Sequence, residues 1–335
     1  MAFVFTNSSN GKTALNLHAE DFNMLFRHPA DNFGDNLNSW LWPQIAPEVC
    51  DPLNPVVFVG IGTILGADIP NHYPKVVFGS GCGGTNRLKF DPSWRIYAVR
   101  GRLTAAHLKL DPSLAITDPG ILVRKVYNSN PAKRYRVSWM PHHQSFAEAD
   151  WTKLSARTSM HCIDPRNPVE QILEEIGSSD LLLTEAMHGA IVADVLRVPW
   201  VPVKVYPQFL EFKWRDWAET MGINIKFTQS RPIYERPTFS VKGMRHTLKR
   251  LLAEIGLGKQ KWRLLHPLPS SSADVARCLS QLDSIAKSTT PYMSDETVLE
   301  KRLEQLSTRL CLLRDDWQNG AFTMDHQGKL DYSTR

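Results

Sequence analysis

The chain has 335 residues, a length that fits two domains or one large one. Hydrophobic residues make up 42% and charged residues 22%, which are ordinary values for a globular protein with a sizeable core. The net charge of +5 suits an anionic substrate or an acidic surface, but it does not establish nucleic-acid binding, and we expect no nucleic-acid partner. Ten tryptophans suggest some exposed aromatic surface for a sugar or an interface; the alternative is that most of them lie in the core.

Five cysteines are scattered without a CxxC pair or zinc-finger spacing, which predicts a reducing compartment. The opening residues show no basic region followed by a long apolar run, so no secretory leader is predicted. No stretch approaches the roughly 20 apolar residues of a transmembrane helix. We therefore expect a cytoplasmic protein whose contact with a membrane would be peripheral.

The first half of the chain alternates strands with helices. After a weakly patterned extension at 1–21, a strand is predicted at 22–27, followed by a helix over 37–45 that Asp35 or Asn36 caps. Buried strands are predicted at 54–60, 75–79, 95–99 and 115–118. Alternation at this spacing predicts a parallel sheet covered by helices on both faces.

Glycines and an arginine follow these strands. Gly60 and Gly62, with Thr63 next, form a Gly-x-Gly loop, the arrangement that lets the backbone approach a phosphate. The third glycine of the dinucleotide fingerprint is displaced to Gly66, so a structural tight turn is an equally good interpretation. Arg100 also follows a strand. Its guanidinium can bind a carboxylate or phosphate in bidentate fashion there, or it can lie solvated at the surface.

A linker at 127–134 leads into a second series of strands and helices at 135–258. His142 and His143 follow its first strand, which is predicted at 135–139. Two adjacent histidines invite a metal hypothesis, but a metal needs three or four converging ligands. Hydrogen bonding to a substrate is the better interpretation, and no metal is predicted.

His188 lies where a strand at 181–184 meets a helix at 190–196. Ligands of open α/β sheets bind at this edge, outside the carboxyl ends of the strands. Gly189 leaves the backbone open to close approach, and the N–H groups of a first helical turn suit an anion. The position predicts acid/base work by His188 near a negatively charged ligand; the alternative is a histidine that only packs in the junction.

Two lysines follow within plausible reach of His188. Lys204 lies on a strand at 199–205, and Lys213 lies on an aromatic helix over 209–221. Each can supply positive charge to an anionic ligand. A surface position is the alternative for both, because lysines are usually exposed.

The last part of the chain, 259–335, is predicted to be a helical segment and a tail. Before it, a basic helix over 241–255 faces an acidic lipid surface, another subunit or water. A loop rich in proline and serine is predicted at 264–272. The final helix, 295–317, is capped by Ser294 and carries acidic residues in its first turn.

The order of several short motifs resembles the polysaccharide pyruvyltransferase family, in particular the branch that adds pyruvate ketals during bacterial exopolysaccharide synthesis. The motifs are Asn32-Phe-Gly-Asp-Asn-Leu37, Gly60-Ile-Gly-Thr63, Ala98-Val-Arg100, Thr117-Asp-Pro-Gly120, Met187-His-Gly189 and Val198-Pro199. The resemblance spans roughly 22–227. It implies an α/β fold of two Rossmann-like domains, 22–126 and 135–258, arranged as in GT-B glycosyltransferases and followed by C-terminal helices.

The resemblance also implies the chemistry. The donor would be phosphoenolpyruvate in the cleft between the domains, with no separate cofactor. The acceptor would be two hydroxyls of one sugar, carried on a lipid-linked oligosaccharide and closed into a cyclic ketal. His188 would protonate the methylene carbon of the enol phosphate, and Arg100 would hold the anionic groups of the donor.

Candidate site residues follow from the motifs and the strand ends. The donor set is Arg100, Gly60, Gly62, Thr63, Gly189, Lys204 and Lys213, and the acceptor set is Asp35, Asn36, His142 and His143. The chain departs from the family at two positions, because many members have an arginine where Ala186 stands and a lysine where Gln208 stands. Lys204 or Lys213 is expected to supply the missing charge.

Two other functions fit the same residues. A GT-B glycosyltransferase that uses a nucleotide sugar would share the fold and the glycine-rich loops. Such an enzyme more often carries a Glu-rich segment that binds ribose. This chain resembles that segment only weakly, at Glu170, Glu174 and Glu175. A catalytically inactive sugar-binding subunit is the third possibility, suggested by the two departures from the family pattern.

Overall fold

The structure is a computed structural model, and it describes residues 2–3, 32–50, 56–66, 74–84, 88–235 and 269–322. Within these ranges the chain forms two sheets whose strands all pair in parallel, with helices packed against them. The predicted α/β class is therefore confirmed. The strand predicted at 22–27 and the basic helix predicted at 241–255 lie outside the described residues.

The first sheet has the strand order β1-β2-β3-β4. Its strands are β1 Ala2–Phe3, β2 Val57–Val59, β3 Lys75–Phe78 and β4 Trp94–Ala98. Strands β2 and β3 are buried throughout, which is why they appear in the sequence as apolar runs without alternation. The strand predicted at 115–118 is wrong. Only a single bridge joins Ala115 to Val99, and a 3-10 helix, Pro119–Leu122, begins where Pro119 has no N–H to donate to a sheet.

The second sheet has the order β6-β5-β7-β8-β9. Its strands are β5 Ser138–Met140, β6 His161–Cys162, β7 Leu182–Thr184, β8 Trp200–Lys204 and β9 Thr228–Gln229. The order places β5, β7 and β8 side by side, and their carboxyl ends meet at one edge. Polar residues that follow these strands in the sequence are therefore brought together at that edge.

Helices connect and cover the two sheets. In chain order they are α1 Phe33–Ile45, α2 Arg102–Leu108, α3 Val123–Val126, α4 Trp151–Ser155, α5 Val169–Gly177, α6 Met187–Val195, α7 Glu211–Thr220, α8 Ser272–Ser288 and α9 Glu296–Gln318. Helix α5 buries Val169, Ile172, Leu173 and Ile176, as its amphipathic spacing predicts. None of the helices within the described ranges combines the length and the apolar character needed to cross a bilayer.

Helix α1 begins four residues earlier than predicted. Asn32, rather than Asp35 or Asn36, is the residue before the first turn, and Asp35 lies inside that turn. The backbone N–H of Phe33 donates to the carbonyl of Pro165 at 2.7 Å, so a tertiary contact fixes the beginning of the helix. Pro43 neither ends nor interrupts the assigned helix, which continues to Ile45.

The C-terminal helices differ from the prediction in two ways. Helix α8 lies within the helical segment predicted at 259–335, although no bounds were predicted for it, and a capping box between Ser271 and Asp274 begins it. Helix α9 is capped by Asp295, one residue after the predicted Ser294. Ser294 is instead buried, and its backbone N–H donates to the carboxylate of Asp194 at 2.7 Å.

Residues of both sheets meet in one hydrophobic cluster, in which residues of α1 pack with residues of α5, α6 and α9. Each sheet also contributes residues to a second cluster of its own. Six tryptophans belong to the largest fully buried side chains, so most of the ten lie in the core, which was the alternative to an exposed aromatic surface. They are Trp42, Trp139, Trp151, Trp200, Trp214 and Trp217. The division at 22–126, 127–134, 135–258 and 259–335 and the GT-B-like arrangement stay predictions.

Candidate active site

His188 lies in the first turn of α6, directly after the buried strand β7. The hydroxyl of Thr184 at the end of β7 accepts the N–H of Ala186 at 3.0 Å and donates to the carbonyl of the same residue. This closed turn starts the helix three residues earlier than predicted, at Met187 rather than Ala190. His188 is thereby placed at the amino end of the helix, where N–H groups lack partners within the helix.

Asp118 faces His188. Its Oδ2 lies 3.6 Å from the Nε2 of His188, and its Oδ1 accepts the backbone N–H of Gly120 at 2.9 Å. Within the described ranges neither Asp118 Oδ2 nor His188 Nε2 has a hydrogen-bond partner, although both atoms are buried. Buried polar atoms are nearly always paired in native proteins, so this pair of atoms marks a place where a bound group or a small closure is expected.

Helix α1 packs its first turn against the other side of the His188 ring. A Cβ atom on Gly34 would lie 1.9 Å from Nδ1 of His188, so only glycine fits there without moving the ring. The next residue, Asp35, is brought into electrostatic contact with His188 and Lys213. The beginning of α1 is therefore part of the site.

Three more side chains complete what we call the His188 cluster, which is His188, Asp118, Asp35, His142 and Lys213. Burial raises the pKa of Asp35, with Asn32, His188 and Lys213 opposing the rise. Burial holds the pKa of His142 well below its usual value, and Lys213 and His188 add to that effect. Burial and, to a smaller extent, the neighbouring Arg100 lower the pKa of Lys213 to about 8, whereas Asp35 and Asp118 act against the shift. Titratable groups with perturbed pKa values that meet in this way are typical of functional sites.

Arg100 lies beside this cluster but is fully buried. Its Nε donates to Asp216 at 3.1 Å, Nη1 donates to Thr63 at 2.9 Å, and Nη2 donates to the carbonyl of Cys82 at 3.2 Å. Gly81 leaves room for the guanidinium, because a Cβ there would lie 2.2 Å from Cζ. The guanidinium thus ties first-sheet loops to α7, and the solvated alternative is wrong. A direct grip on the donor stays a prediction.

The glycine-rich loop is held by α1 in the same manner. The Asn38 amide accepts the N–H of Ile61 at 2.8 Å and donates to the carbonyl of the same residue at 2.9 Å. A Cβ on Gly60 would lie 2.6 Å from the side chains of Asn38 and Trp42. Protein atoms therefore occupy the space that Gly60 opens. We call Asn38, Gly62, Thr63, Arg100 and Asp216 the support network.

Gly62 adopts a φ of 137°, a backbone conformation that favours glycine at this position. Its carbonyl accepts the N–H of Gly81 at 2.9 Å. The Cβ side of Gly189 also faces protein atoms, since a Cβ would lie 2.6 Å from Sδ of Met140 and 2.9 Å from Oγ1 of Thr184. Both glycines are thus explained by packing or backbone conformation. Contact of their backbones with a donor stays a prediction.

The other predicted residues divide between the site and its surroundings. Lys204 forms an ion pair with Glu211 at 3.0 Å, so its ammonium is already matched, and Lys213 is the lysine in the His188 cluster. The ring of His143 lies 4.2 Å from that of His142, which keeps both histidines beside the site. Asn36 is half-buried on α1, next to Asp35.

Glu185 is a residue of the site's framework that the sequence reading missed. Its buried carboxylate accepts N–H groups from Tyr206 at 3.0 Å and from Val205 and His142 at 3.3 Å, together with the hydroxyl of Ser145. Burial raises its pKa, and these hydrogen bonds oppose the rise. The sequence does carry a signal for this role, since Glu185 directly follows a buried apolar strand. A carboxylate that is buried in this way needs several hydrogen-bond donors.

No three His, Cys, Asp or Glu side chains within the described ranges come together as a metal site requires. The cluster instead combines a half-buried ammonium, two histidines and two carboxylates at the amino end of a helix. Chemically, this set can hold an anion and move a proton.

Comparison with known proteins gives a consistent result. The sequence profile of the family described as "Polysaccharide pyruvyl transferase" matches residues 35–205. The succinoglycan biosynthesis protein ExoV of Rhizobium meliloti (strain 1021) is 38% identical over 218 residues, which cover 64% of this chain and 69% of that protein. No solved structure is a match for the chain. The matched profile begins at Asp35 and ends just after β8, so it includes every member of the His188 cluster except Lys213.

Proposed function

The chain belongs to the polysaccharide pyruvyl transferase family, and from this premise we propose that it moves the pyruvyl group of phosphoenolpyruvate onto two hydroxyls of one sugar, forming a pyruvate ketal. The family membership supports a transferase. The donor and the ketal product are the parts that we propose. They are supported by the charges and the acid/base groups that the site brings together.

The donor has a phosphate and a carboxylate, and it therefore needs positive charge in a partly desolvated site. Lys213 meets this need, because it is half-buried and lies in electrostatic contact with His142 and Asp35. The amino end of α6 adds N–H groups and a favourable helix dipole. Arg100 contributes positive potential from the support network. Many family members have an arginine and a lysine at the positions of Ala186 and Gln208. We propose that Lys213 supplies the positive charge that is missing from those two positions.

His188 is the proposed general acid. It would donate a proton to the methylene carbon of the enol phosphate, which leaves an oxocarbenium-like carbon that the first sugar hydroxyl attacks. The C–O bond to phosphate then breaks, inorganic phosphate leaves, and the second hydroxyl adds to the same carbon to close the ketal. The two protons lost by the hydroxyls balance the proton given to the methylene carbon and the one taken up by the departing phosphate. General acid catalysis of this kind contributes roughly 10²–10⁴-fold to a rate.

The acceptor is proposed to bind beside the beginning of α1, where Asp35 lies in electrostatic contact with His188 and is followed by Asn36. Asp35 has a raised pKa and lies in electrostatic contact with His188, so it is placed to accept a proton from an attacking hydroxyl. His142, whose pKa is held low, stays neutral and can hydrogen-bond a sugar hydroxyl.

We further propose that the acceptor is a lipid-linked exopolysaccharide repeat, processed at the cytoplasmic face of the membrane by a peripheral protein. The relative from Rhizobium meliloti is a succinoglycan biosynthesis protein by name, which supports an exopolysaccharide acceptor. The net charge of +5 agrees with an anionic donor and an acidic membrane surface.

The observation that carries the proposal is the contact of His188 with a buried carboxylate on one side and a half-buried lysine nearby. The test is to incubate the purified protein with phosphoenolpyruvate and a lipid-linked oligosaccharide. We expect release of inorganic phosphate together with an acid-labile mass gain of one pyruvyl ketal on the sugar. Turnover of a UDP-sugar without phosphate release from phosphoenolpyruvate would contradict the proposal.

A further inference from the structure

We propose that Asp118 is the positioning residue of His188: its buried Oδ2 holds the proton on Nε2, so that Nδ1 is the nitrogen that delivers the catalytic proton. The consequence for catalysis rests on the proposed function. The pairing itself concerns only the protein and can be measured without any substrate.

The first support is that both facing atoms are buried and unpaired within the described ranges. The Asp118 side chain is fully buried, and its Oδ2 has no donor, while Oδ1 accepts the N–H of Gly120. A buried carboxylate oxygen without a donor is costly, and the facing ring nitrogen of His188 is the group that can supply one. The separation of 3.6 Å is longer than a hydrogen bond, and such contacts often tighten only when substrate binds.

The second support is the orientation of the ring. Nε2 faces Asp118 and is buried, whereas 14% of the His188 side chain remains exposed through its other atoms. Nδ1 lies on the opposite side, against Gly34 and the beginning of α1. The two nitrogens therefore have different surroundings, which is the condition for one to be held by a carboxylate while the other reacts.

The third support comes from the local fold. Asp118 and Asp111 are both caps of 3-10 helices, each followed by proline and each accepting the N–H two residues on. The distances are 2.9 Å for Asp118 and 2.8 Å for Asp111. Asp111 is exposed, whereas Asp118 has its second oxygen turned towards His188. Capping alone therefore does not explain the buried position of Asp118.

The charged groups around the pair come from several elements. Asp35 on α1 and His142 after β5 are both in electrostatic contact with His188, and Lys213 on α7 is in contact with Asp118, Asp35 and His142. Replacing Asp118 removes the carboxylate that faces Nε2 and leaves the others in place.

The experiment compares Asp118→Asn with Asp111→Asn in the full chain. Asparagine keeps an oxygen for the cap and removes the charge from the atom that faces His188. In D118N we expect kcat to fall by about 10²–10⁴-fold, the range of a mispositioned or absent general acid. D111N should keep the wild-type rate.

A substrate-free measurement separates this inference from the proposed function. Nitrogen NMR of the labelled wild-type protein should show the neutral His188 ring carrying its proton on Nε2, and this preference should be lost in D118N but kept in D111N. A proton on Nδ1 in the wild type would overturn the inference, even if D118N failed to fold. If the NMR result holds and no pyruvyl transfer is found, the proposed function fails and the pairing stands.

Discussion

The support network and the His188 cluster are both polar, and both lie beside the ends of strands, but they differ in how their polar groups are matched. Each nitrogen of Arg100 donates to a protein oxygen, and both polar atoms of the Asn38 amide are bonded. In the His188 cluster, Asp118 Oδ2 and His188 Nε2 face each other without a hydrogen bond within the described ranges. A matched network stabilises one conformation, whereas unmatched buried atoms gain most from a bound ligand.

The difference assigns separate roles to the two regions. Mutations in the support network should act mainly on the free energy of unfolding. Mutations in the His188 cluster should act mainly on catalysis or donor binding. The following variants can break or sharpen that comparison, beginning with the largest expected effect.

His188→Gln should lower kcat by about 10²–10⁴-fold, because the general acid is lost while a side chain of similar polarity remains. Donor binding and the melting temperature should change little, since the His188 Nε2 makes no hydrogen bond to the described residues that could be lost. Single-turnover phosphate release and thermal unfolding provide the two readouts. Full activity in H188Q would remove His188 from the mechanism.

Arg100→Ala should lower the free energy of unfolding by roughly 3–5 kcal/mol, the cost of leaving a buried charge such as Asp216 without its partner. Urea denaturation measures this change. Arg102→Ala is the control, because Arg102 is 72% exposed and its ion pair with Glu219 is worth about 0–1 kcal/mol. An R100A protein of normal stability with only a raised donor KM would instead make Arg100 a donor ligand.

Gly34→Ala should lower kcat by about 10²-fold, because the new Cβ displaces the His188 ring and small misplacements of catalytic groups cost that much. The fold should persist, since alanine favours a helix over glycine. Gly83→Ala is the matched control beside the support network, where the nearest atom to a new Cβ is a methyl of Thr63 at 3.9 Å. Equal rates in the two variants would contradict the placement of His188 against α1.

Lys213 gives a pH dependence. Its pKa of about 8 means that the ammonium is present below about pH 8 and is lost above it. The donor KM should therefore rise above pH 8, approaching about tenfold per pH unit for the loss of one proton. Lys213→Gln should have a high and pH-independent KM, whereas the exposed Lys226→Gln should behave as the wild type.

The same shift predicts a stability effect with a definite sign. The pKa of Lys213 is lower in the folded state than the ordinary value of 10.5, so charging this lysine opposes folding below about pH 8. This contribution is relieved as pH rises from about 8 towards 10.5. K213Q should remove it, which denaturation at pH 7 and pH 9 can measure. A wild-type protein whose KM stays flat to pH 10 would contradict the role of Lys213 in donor binding, and a wild-type stability that changes between pH 7 and pH 9 as that of K213Q does would contradict the stability effect.

Much of the local structure followed from the sequence. The buried strands β2, β3, β7 and β8 were predicted because short runs of β-branched residues and leucine, bounded by turn residues, are typical of buried strands. The amphipathic spacing of α5 likewise named its buried face correctly. The chain order of Gly, Arg and His motifs was enough to identify the family, because it does not depend on how the elements pack.

Helix beginnings were harder to predict, because tertiary contacts decide some of them. Phe33 begins α1 through a hydrogen bond to Pro165, whereas α6 begins at a local turn that the Thr184 hydroxyl closes on Ala186. Asp118 was predicted in a strand and proved to cap a 3-10 helix that turns its other oxygen towards His188. The contacts of Phe33 with Pro165 and of Asp118 with His188 join residues far apart in the chain, which no local pattern relates.

The sequence by itself determined that His188 lies at the junction of a strand and a helix, since that depends only on the order of apolar and polar residues. The tertiary structure decided which groups meet it. It chose Lys213 over Lys204, because Glu211 already pairs with Lys204. It also buried Arg100 against Asp216 and brought Asp118 to His188. Charge and reactivity at a site depend on distances between side chains far apart in the chain, and only packing sets those distances.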